Sequence, residues 1–197
     1  KQLKKALEKT IFCMANQDVR YYLNGLLLNI SNSKLKLVAS DGHRLALFED
    51  DLANTTGYEE RVILPRKGAV EIYRLLTDSD EQLTVYFSTN NIKVVIDQVT
   101  FSAKLVDAKY PDFSKVFQQG FFEPIVIHKQ QMKDVLTRVA VLSNEKFKGI
   151  TLDFKRDSVI ISTHNPEHDE AEEELAINYS GEPLSIAFNA QYLLDAI

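Results

Sequence analysis

The sequence predicts an α+β chain in which one unit is used twice. Three observations carry this: a self-match at a fixed displacement, helix-period apolar stripes at the ends of each unit, and short alternating stretches between them. Gly25-Leu26-Leu27-Leu28 falls on Gly149-Ile150-Thr151-Leu152, a displacement of 149 − 25 = 124. Without a gap, the same displacement sets Leu35 on Val159, Leu37 on Ile161, Asp41 on Asn165, Val62 on Ile186, Leu64 on Phe188 and Glu71 on Asp195.

Taken in order, Leu3, Ala6, Leu7, Ile11 and Met14 recur at helical spacing and predict a first helix, closed by Gln17, Arg20, Tyr21 and Tyr22. Lys34-Leu35-Lys36-Leu37-Val38 alternates as a half-buried strand does. Pro65 follows the strand Arg61 to Leu64 and stands at a first helical position, with Ala69, Ile72, Tyr73 and Leu76 on one face behind it. Leu83 to Phe87 predicts a further strand, and Tyr110-Pro111-Asp112-Phe113 to Phe122, with Gln118-Gln119-Gly120, predicts the connection between units. Met132, Val135, Leu136 and Val139 then repeat the opening helix, and Ser158-Val159-Ile160-Ile161 repeats a strand. These boundaries assign residues 1–120 to a complete unit and 121–197 to an incomplete one, because nothing in the second corresponds to residues 74–124 of the first. The chain is therefore expected to be a piece of a longer protein.

Composition narrows the function classes. Of 197 residues, 45% are hydrophobic and 26% charged, with 7 Gly and 5 Pro, which excludes disordered and collagen-like chains. Apolar runs such as Gly25 to Leu28 fall far short of the ~20 residues that cross a bilayer, and no leader pattern opens the sequence, so a cytosolic protein without a membrane role is expected. A single cysteine, Cys13, argues against a disulfide framework or a metal cluster. The net charge is −5, yet it is segmental: Lys1, Lys4, Lys5, Lys9 and Arg20 crowd the start, and Glu167, Asp169, Glu170, Glu172, Glu173, Glu174 and Glu182 crowd one later stretch.

Basic residues recur on three predicted helices: Lys1, Lys5 and Lys9; Arg66, Lys67 and Arg74; Lys129, Lys133 and Arg138. On one helix they would read as a solvated face. Repeated on equivalent helices, they suit a phosphate backbone bound without base reading. His164-Asn165-Pro166-Glu167-His168 has the spacing of a helical zinc pair, but Pro166 and the preceding strand place it in a turn, so no metal site is expected. A metal-dependent nuclease or hydrolase using His164 and His168 is the rival reading, and a purely structural repeat protein is a third. Asp41-Gly42-His43-Arg44 lacks an activated nucleophile beside it, and the phosphate-loop glycine motifs are absent, so neither catalysis nor a nucleotide cofactor is expected.

Six ordered segments carry a family resemblance: Gln17-Asp18-Val19-Arg20-Tyr21-Tyr22-Leu23-Asn24-Gly25, Ala39-Ser40-Asp41-Gly42-His43-Arg44-Leu45-Ala46, Leu64-Pro65-Arg66-Lys67-Gly68, Lys104 to Phe113, Leu142 to Gly149, and Phe188 to Asp195. Through them the chain resembles the bacterial sliding clamps, the beta subunits of DNA polymerase III, over the middle domain and part of the third. The resemblance implies repeated clamp domains, each with two antiparallel sheets outside and two helices lining an inner face. It implies a non-catalytic processivity factor that encircles duplex DNA without reading sequence and tethers the polymerase III catalytic subunit, the clamp loader and other proteins with a clamp-binding motif.

By matching positions, Gln17, Arg20, Tyr21 and Tyr22 are implied as DNA-facing, with Arg66 and Lys67 added. A peptide pocket between the middle and third domains is implied at Leu23, Ser40, Gly42, His43, Arg44, Leu45, Pro111, Lys115, Val116, Phe147, Asn189 and Tyr192. Subunit pairing into a homodimeric ring is implied at Val141, Leu142, Glu172, Glu173 and Glu174. Ser40 stands where the family usually has Thr, and Lys115 where it commonly has Arg. With the family's first domain and last segment lacking, this chain alone is expected to be monomeric and to hold peptide weakly.

Overall fold

A computed structural model describes residues 1–52, 57–79, 82–117, 124–144, 147–164 and 170–197. The chain divides into two compact units, Lys1–Phe117 and Gln118–Ile197. The predicted connection at 118–122 lies outside the described residues.

The first unit opens with helix α1 (Gln2–Glu8), shorter than its apolar stripe predicts. The Thr10 hydroxyl donates to the Ala6 carbonyl at 2.8 Å while Thr10 leaves helical backbone geometry (φ −129°, ψ −33°). The chain then makes a separate 3₁₀ turn at Ile11–Cys13. Gln17 to Tyr22 consequently do not close that helix but follow it in a loop, whose last part is a second 3₁₀ turn, Tyr21–Asn24. Strands β1 (Gly25–Ser31), β2 (Lys34–Ser40), β3 (Leu45–Asp51) and β4 (Glu60–Pro65) form an antiparallel sheet in the order β3-β2-β1-β4. Lys36 stands opposite Glu49, whose carboxylate also takes Lys34, each at 2.7 Å, so charge reinforces the β2–β3 register. Pro65 is the residue that caps α2 (Arg66–Leu75), one position earlier than its predicted first-turn place. β5 (Thr84–Phe87), β6 (Asn91–Ile96) and β7 (Val99–Lys104) complete a three-stranded antiparallel sheet.

One face of the four-stranded sheet, through Leu26, Leu28, Leu35, Leu37 and Leu64, shares a core with Ala6 and Leu7 of α1, Ala69 and Ile72 of α2, and Ile92 and Val94 of β6. A Cβ at Gly68 would meet Leu64 Cδ1 at 3.1 Å and the Ala103 Cβ at 3.2 Å, so α2 lies close to both sheets of its unit. The opposite face is covered as well. Leu27, Val38 and Ile63 are buried with Ala15, Leu23 and Tyr110, which explains why β1 reads as an uninterrupted apolar run rather than alternating.

The second unit repeats the plan: α3 (Lys129–Val141), β8 (Gly149–Lys155), β9 (Ser158–His164), β10 (Glu170–Ala176), β11 (Leu184–Asn189) and α4 (Ala190–Ala196), with sheet order β10-β9-β8-β11. The sequence displacement is reproduced by structure, since Gly25, Lys34, Glu60 and Arg66 open elements whose counterparts open at Gly149, Ser158, Leu184 and Ala190. Among its described residues this unit has one sheet rather than two. Its buried set, Met132, Val135, Leu136, Val139, Ile150, Leu152, Phe154, Val159 and Ile161, lies on the helix side of the sheet. The other face differs as the sequence dictates, with Thr151, Ser162 and Ala187 where the first unit has Leu27, Val38 and Ile63.

Leu37 is fully buried where α1, α2 and both sheets of the first unit meet. Leu37→Ala should lower unfolding free energy by about 2–5 kcal/mol in chemical denaturation; a loss below about 1 kcal/mol would contradict this packing.

Candidate functional site

The covered second face of the first unit's sheet positions the loop 14–24 and the turn 40–45. Ala15 donates to the Leu23 carbonyl at 3.0 Å, and Leu23 to the Arg20 carbonyl at 2.8 Å. The Asn24 side chain ties the loop's neck: its Oδ1 accepts the Asp18 N–H and its Nδ2 donates to the Asp18 carbonyl, both at 2.8 Å. Gln17 takes a positive φ of 59° at the bend. Thus Val19 is 95% exposed and Tyr21 57%, while Leu23 is buried in the cluster below. The two tyrosines divide, because Tyr22 is half-buried and sets its ring edge-on to buried Tyr110 at 6.4 Å.

Arg20 is not a solitary cation. Its Nε and Nη2 donate to Asp18 Oδ1 and Oδ2 at 3.0 and 2.8 Å, and Nη2 reaches the Asp41 carbonyl at 3.3 Å. This guanidinium holds the Asp18 carboxyl down to about 2. Arg66, also read as DNA-facing, is half-buried and donates to the Met14 carbonyl at 2.8 Å, whereas Lys67 is exposed.

The turn between β2 and β3 is held by its own side chains. Ser40 Oγ accepts the Gly42 N–H at 3.1 Å and donates to the Arg44 carbonyl at 2.8 Å. Asp41 Oδ1 accepts the N–H groups of His43 and Arg44 at 2.9 and 3.0 Å, and Oδ2 takes Arg44 Nε at 3.0 Å. Burial works to raise the Asp41 carboxyl, and these donors outweigh it, so it is lowered. Arg44 continues to the Phe12 carbonyl at 2.9 Å and lies over the Phe12 ring at 5.5 Å. Asp41 is therefore a structural acceptor for this turn.

Leu23 and Leu45 meet in the apolar cluster with Tyr110 and Phe113. The Tyr110 hydroxyl is buried without a partner in ordinary hydrogen-bond geometry, and burial pushes it up to about 12 against a lowering influence of the Ser40 backbone. Tyr110, predicted to begin the connection, is thus part of the first unit's core. Beyond it Pro111, Lys115 and Val116 are exposed, the last two on a 3₁₀ turn, Ser114–Val116, whose Ser114 N–H donates to Asp112 Oδ1 at 3.0 Å.

In the second unit, Asn189 caps α4 by accepting the Gln191 N–H at 2.8 Å and the Tyr192 N–H at 3.4 Å, and its Nδ2 donates to the Phe147 carbonyl at 3.1 Å. One amide thus joins Phe147, Asn189 and Tyr192. Val141 and Leu142 end α3, with Val141 76% exposed. Strand alternation divides the acids Glu172, Glu173 and Glu174: it exposes Glu172 and Glu174, whereas Glu173 on the helix side binds Arg138 of α3 through two contacts of 2.6 Å. Arg138 holds the Glu173 carboxyl below its usual range. His164 pairs with Glu170 at 3.0 Å, and the 165–168 half of the histidine motif lies outside the described residues. Among the described residues, no group of three or more His, Cys, Asp or Glu side chains is placed to hold a metal ion, and no helix is long and apolar enough to cross a membrane.

Residues 1–112 match the DNA polymerase III beta subunit, central domain, and residues 114–197 match the C-terminal domain of that subunit. The chain belongs to the DNA polymerase III beta subunit family. The beta sliding clamp of Pseudomonas putida is 42% identical over 196 residues, covering 100% of this chain and 53% of that protein. A crystal structure of the Pseudomonas aeruginosa DNA polymerase sliding clamp with ligand is 42% identical with a TM-score of 0.95, over 99% of this chain and 53% of that one. The P. aeruginosa clamp bound to griselimycin matches with a TM-score of 0.94 at 42% identity, over 99% and 53% of the respective chains. The chain spans about half the length of the beta-subunit relatives it matches. The α+β architecture is that of sliding clamps.

The roles of Asp18, Asn24 and Phe12 were missed in the sequence. Asp18-x-Arg20 and the Asx pattern were visible signals, but the Asp18–Asn24 and Arg44–Phe12 contacts join residues whose proximity only folding sets.

Two measurements check this geometry. The Asp18 carboxyl should titrate by NMR near 2 and return toward 3.8 in Arg20→Gln. The depressed value means that the pair's contribution is present above pH 3.8 and fades as pH falls toward 2; an unshifted midpoint in the parent would remove the pair. Asn189→Ala should lower the stability of the second unit by about 1 kcal/mol, read from its denaturation midpoint, and no change would deny the cap.

Proposed function

We propose that this chain is part of a non-catalytic processivity factor of bacterial DNA replication, acting in the cytoplasm as a ring-shaped sliding clamp. Residues 1–120 supply its middle domain and 121–197 part of its third. The full-length subunit pairs as a homodimer, encircles duplex DNA, and tethers the polymerase III catalytic subunit, the clamp loader and other motif-bearing proteins. Gln17, Arg20, Tyr21, Tyr22, Arg66 and Lys67 face DNA. Leu23, Ser40, Gly42, His43, Arg44, Leu45, Pro111, Lys115 and Val116 of the first unit, and Phe147, Asn189 and Tyr192 of the second, contact peptide segments, and a ligand such as the griselimycin bound by the P. aeruginosa clamp would use the first unit's set. Val141, Leu142, Glu172, Glu173 and Glu174 belong to the subunit interface, Glu173 through its hold on Arg138.

The observation that carries the reading is the placement of cations within each unit. α2 buries Gly68, Ala69 and Ile72 and exposes Lys67; α3 buries Met132, Val135, Leu136 and Val139 and exposes Lys129 and Lys133. Among the described residues Lys5, Lys9, Lys67, Lys129 and Lys133 make no ion pair, in a chain of net charge −5. Flexible ammonium groups on helix faces attract phosphate without fixing register, which permits sliding, while closure of a ring prevents escape. Val116, exposed and donating its N–H to the carbonyl of Phe113, which packs on the Leu23–Leu45 cluster, would supply an apolar anchor surface of the kind a linear peptide needs.

The test is topological. Loaded onto nicked circular DNA, the complete subunit should co-elute with the circle in gel filtration and be lost on linearisation; equal retention on both forms would overturn encirclement. Lys67→Glu with Lys133→Glu should weaken duplex binding and flatten its salt dependence by about one unit of slope for each phosphate no longer neutralised. DNA cleavage abolished by chelation would favour the metal-dependent alternative instead.

A further inference from the structure

The Arg20 guanidinium is held in place from three sides. Asp18 fixes its Nε–Nη2 edge through two hydrogen bonds, the Asp41 carbonyl takes Nη2, and its Nη1–Nη2 edge lies beside Gly42. A Cβ built at Gly42 would stand 2.5 Å from Nη2, 2.8 Å from Nη1 and 3.0 Å from Cζ, so the guanidinium occupies the space a side chain would need. Gly42 also has a φ of +89°, which an L side chain rarely adopts. The positive φ favours glycine at position 42, and a Cβ there would in addition have to move the Arg20 guanidinium from its place against Asp18.

Asp18 is itself fixed, because the Asn24 amide grips its backbone on both sides and its Oδ1 accepts the Arg20 N–H at 2.7 Å. The chain of contacts from Asn24 through Asp18 and Arg20 ends on the backbone of Asp41 and Gly42. There it meets the hydrogen bonds by which Ser40 and Asp41 shape the turn. A lysine at position 20 would keep the positive charge but could offer neither two parallel donors to Asp18 nor a second edge beside Gly42.

We propose that Arg20, oriented by Asp18, is a positioning residue for the 40–45 turn: it holds the Asp41 carbonyl, fills the space beside Gly42, and so sets the surface on which a ligand such as griselimycin docks. This rests on the reading above that the turn belongs to the ligand-binding surface, and it assigns Arg20 a task beyond contact with phosphate. A phosphate that draws the guanidinium off Asp18 would release Gly42, which links DNA contact to the ligand surface through one side chain.

The parent chain, Arg20→Lys and Asp18→Asn are compared by NMR amide exchange and by griselimycin titration. Both variants should speed exchange at Gly42 and His43 while leaving Leu28 and Leu37 in the core unchanged, and should weaken griselimycin binding by about fivefold or more, the lower range of ordinary intersite coupling. Unchanged turn amides and unchanged griselimycin affinity in Arg20→Lys would overturn the proposal, since charge alone would then suffice. A rise in exchange spread equally over Leu28 and Leu37 would also overturn it, by showing general destabilisation. If the parent chain fails to bind griselimycin, the ligand-surface reading falls, and the exchange at Gly42 and His43 alone decides whether Arg20 positions the turn.

Discussion

Burial of both faces of the first unit's four-stranded sheet is the constraint from which the candidate site follows. A sheet packed on one side can leave its other side to polar residues, as the second unit does with Thr151 and Ser162. In the first unit Leu27, Val38 and Ile63 must be kept from water, and Ala15, Leu23 and Tyr110 do so. The backbone carrying those three residues is the loop 14–24 and the segment 105–113. The Val106 N–H donates to the Ile63 carbonyl at 2.9 Å, which fixes the second segment to β4. The loops proposed to carry function are thus anchored by the same contacts that complete the core, and their exposed tips are presented on a fixed base.

The polar contacts then refine what the apolar ones have placed. Asn24, Asp18, Arg20, Asp41 and Arg44 join the loop, the turn and the 3₁₀ segment at Phe12 through side-chain hydrogen bonds to backbone groups. Such pairs at a half-exposed surface add little to stability, but they restrict conformation, which matters more for a surface that must present fixed geometry. The exposed lysines of the helices behave oppositely, with long flexible stems suited to weak, exchangeable phosphate contacts. Hydrogen-bonded arginines at the loops suit a surface of fixed geometry, and the exposed helix lysines suit exchangeable phosphate contacts.

Much of this organisation was legible in the sequence because it depends on periodicity. The displacement that set Gly25 on Gly149 and Leu64 on Phe188 appears in the structure as equivalent strands in the same sheet order. The first helix ends short of its apolar stripe because Ile11 and Met14 continue a pattern that helix and 3₁₀ turn share, and the sequence pattern does not register the Thr10 hydroxyl bond to the Ala6 carbonyl where the chain leaves α-geometry. The acids from Glu172 to Glu174 were grouped by adjacency, whereas a strand sends neighbours to opposite faces and delivers Glu173 to Arg138. The family resemblance located Arg20 and Gly42 separately. Their contact, and the use of Asp18 to secure it, depend on the approach of two segments, which no local pattern encodes.

The most direct measurement places the second unit's residue in the first: Leu27→Thr, followed by site-resolved amide exchange. If the covered second face anchors the functional loops, exchange at Ala15, Leu23 and Val106 rises sharply while the amide of Leu37, in β2 beside the opposite core, keeps its protection relative to global unfolding. Unchanged protection at Ala15, Leu23 and Val106 would show that the loops hold themselves and would contradict the account.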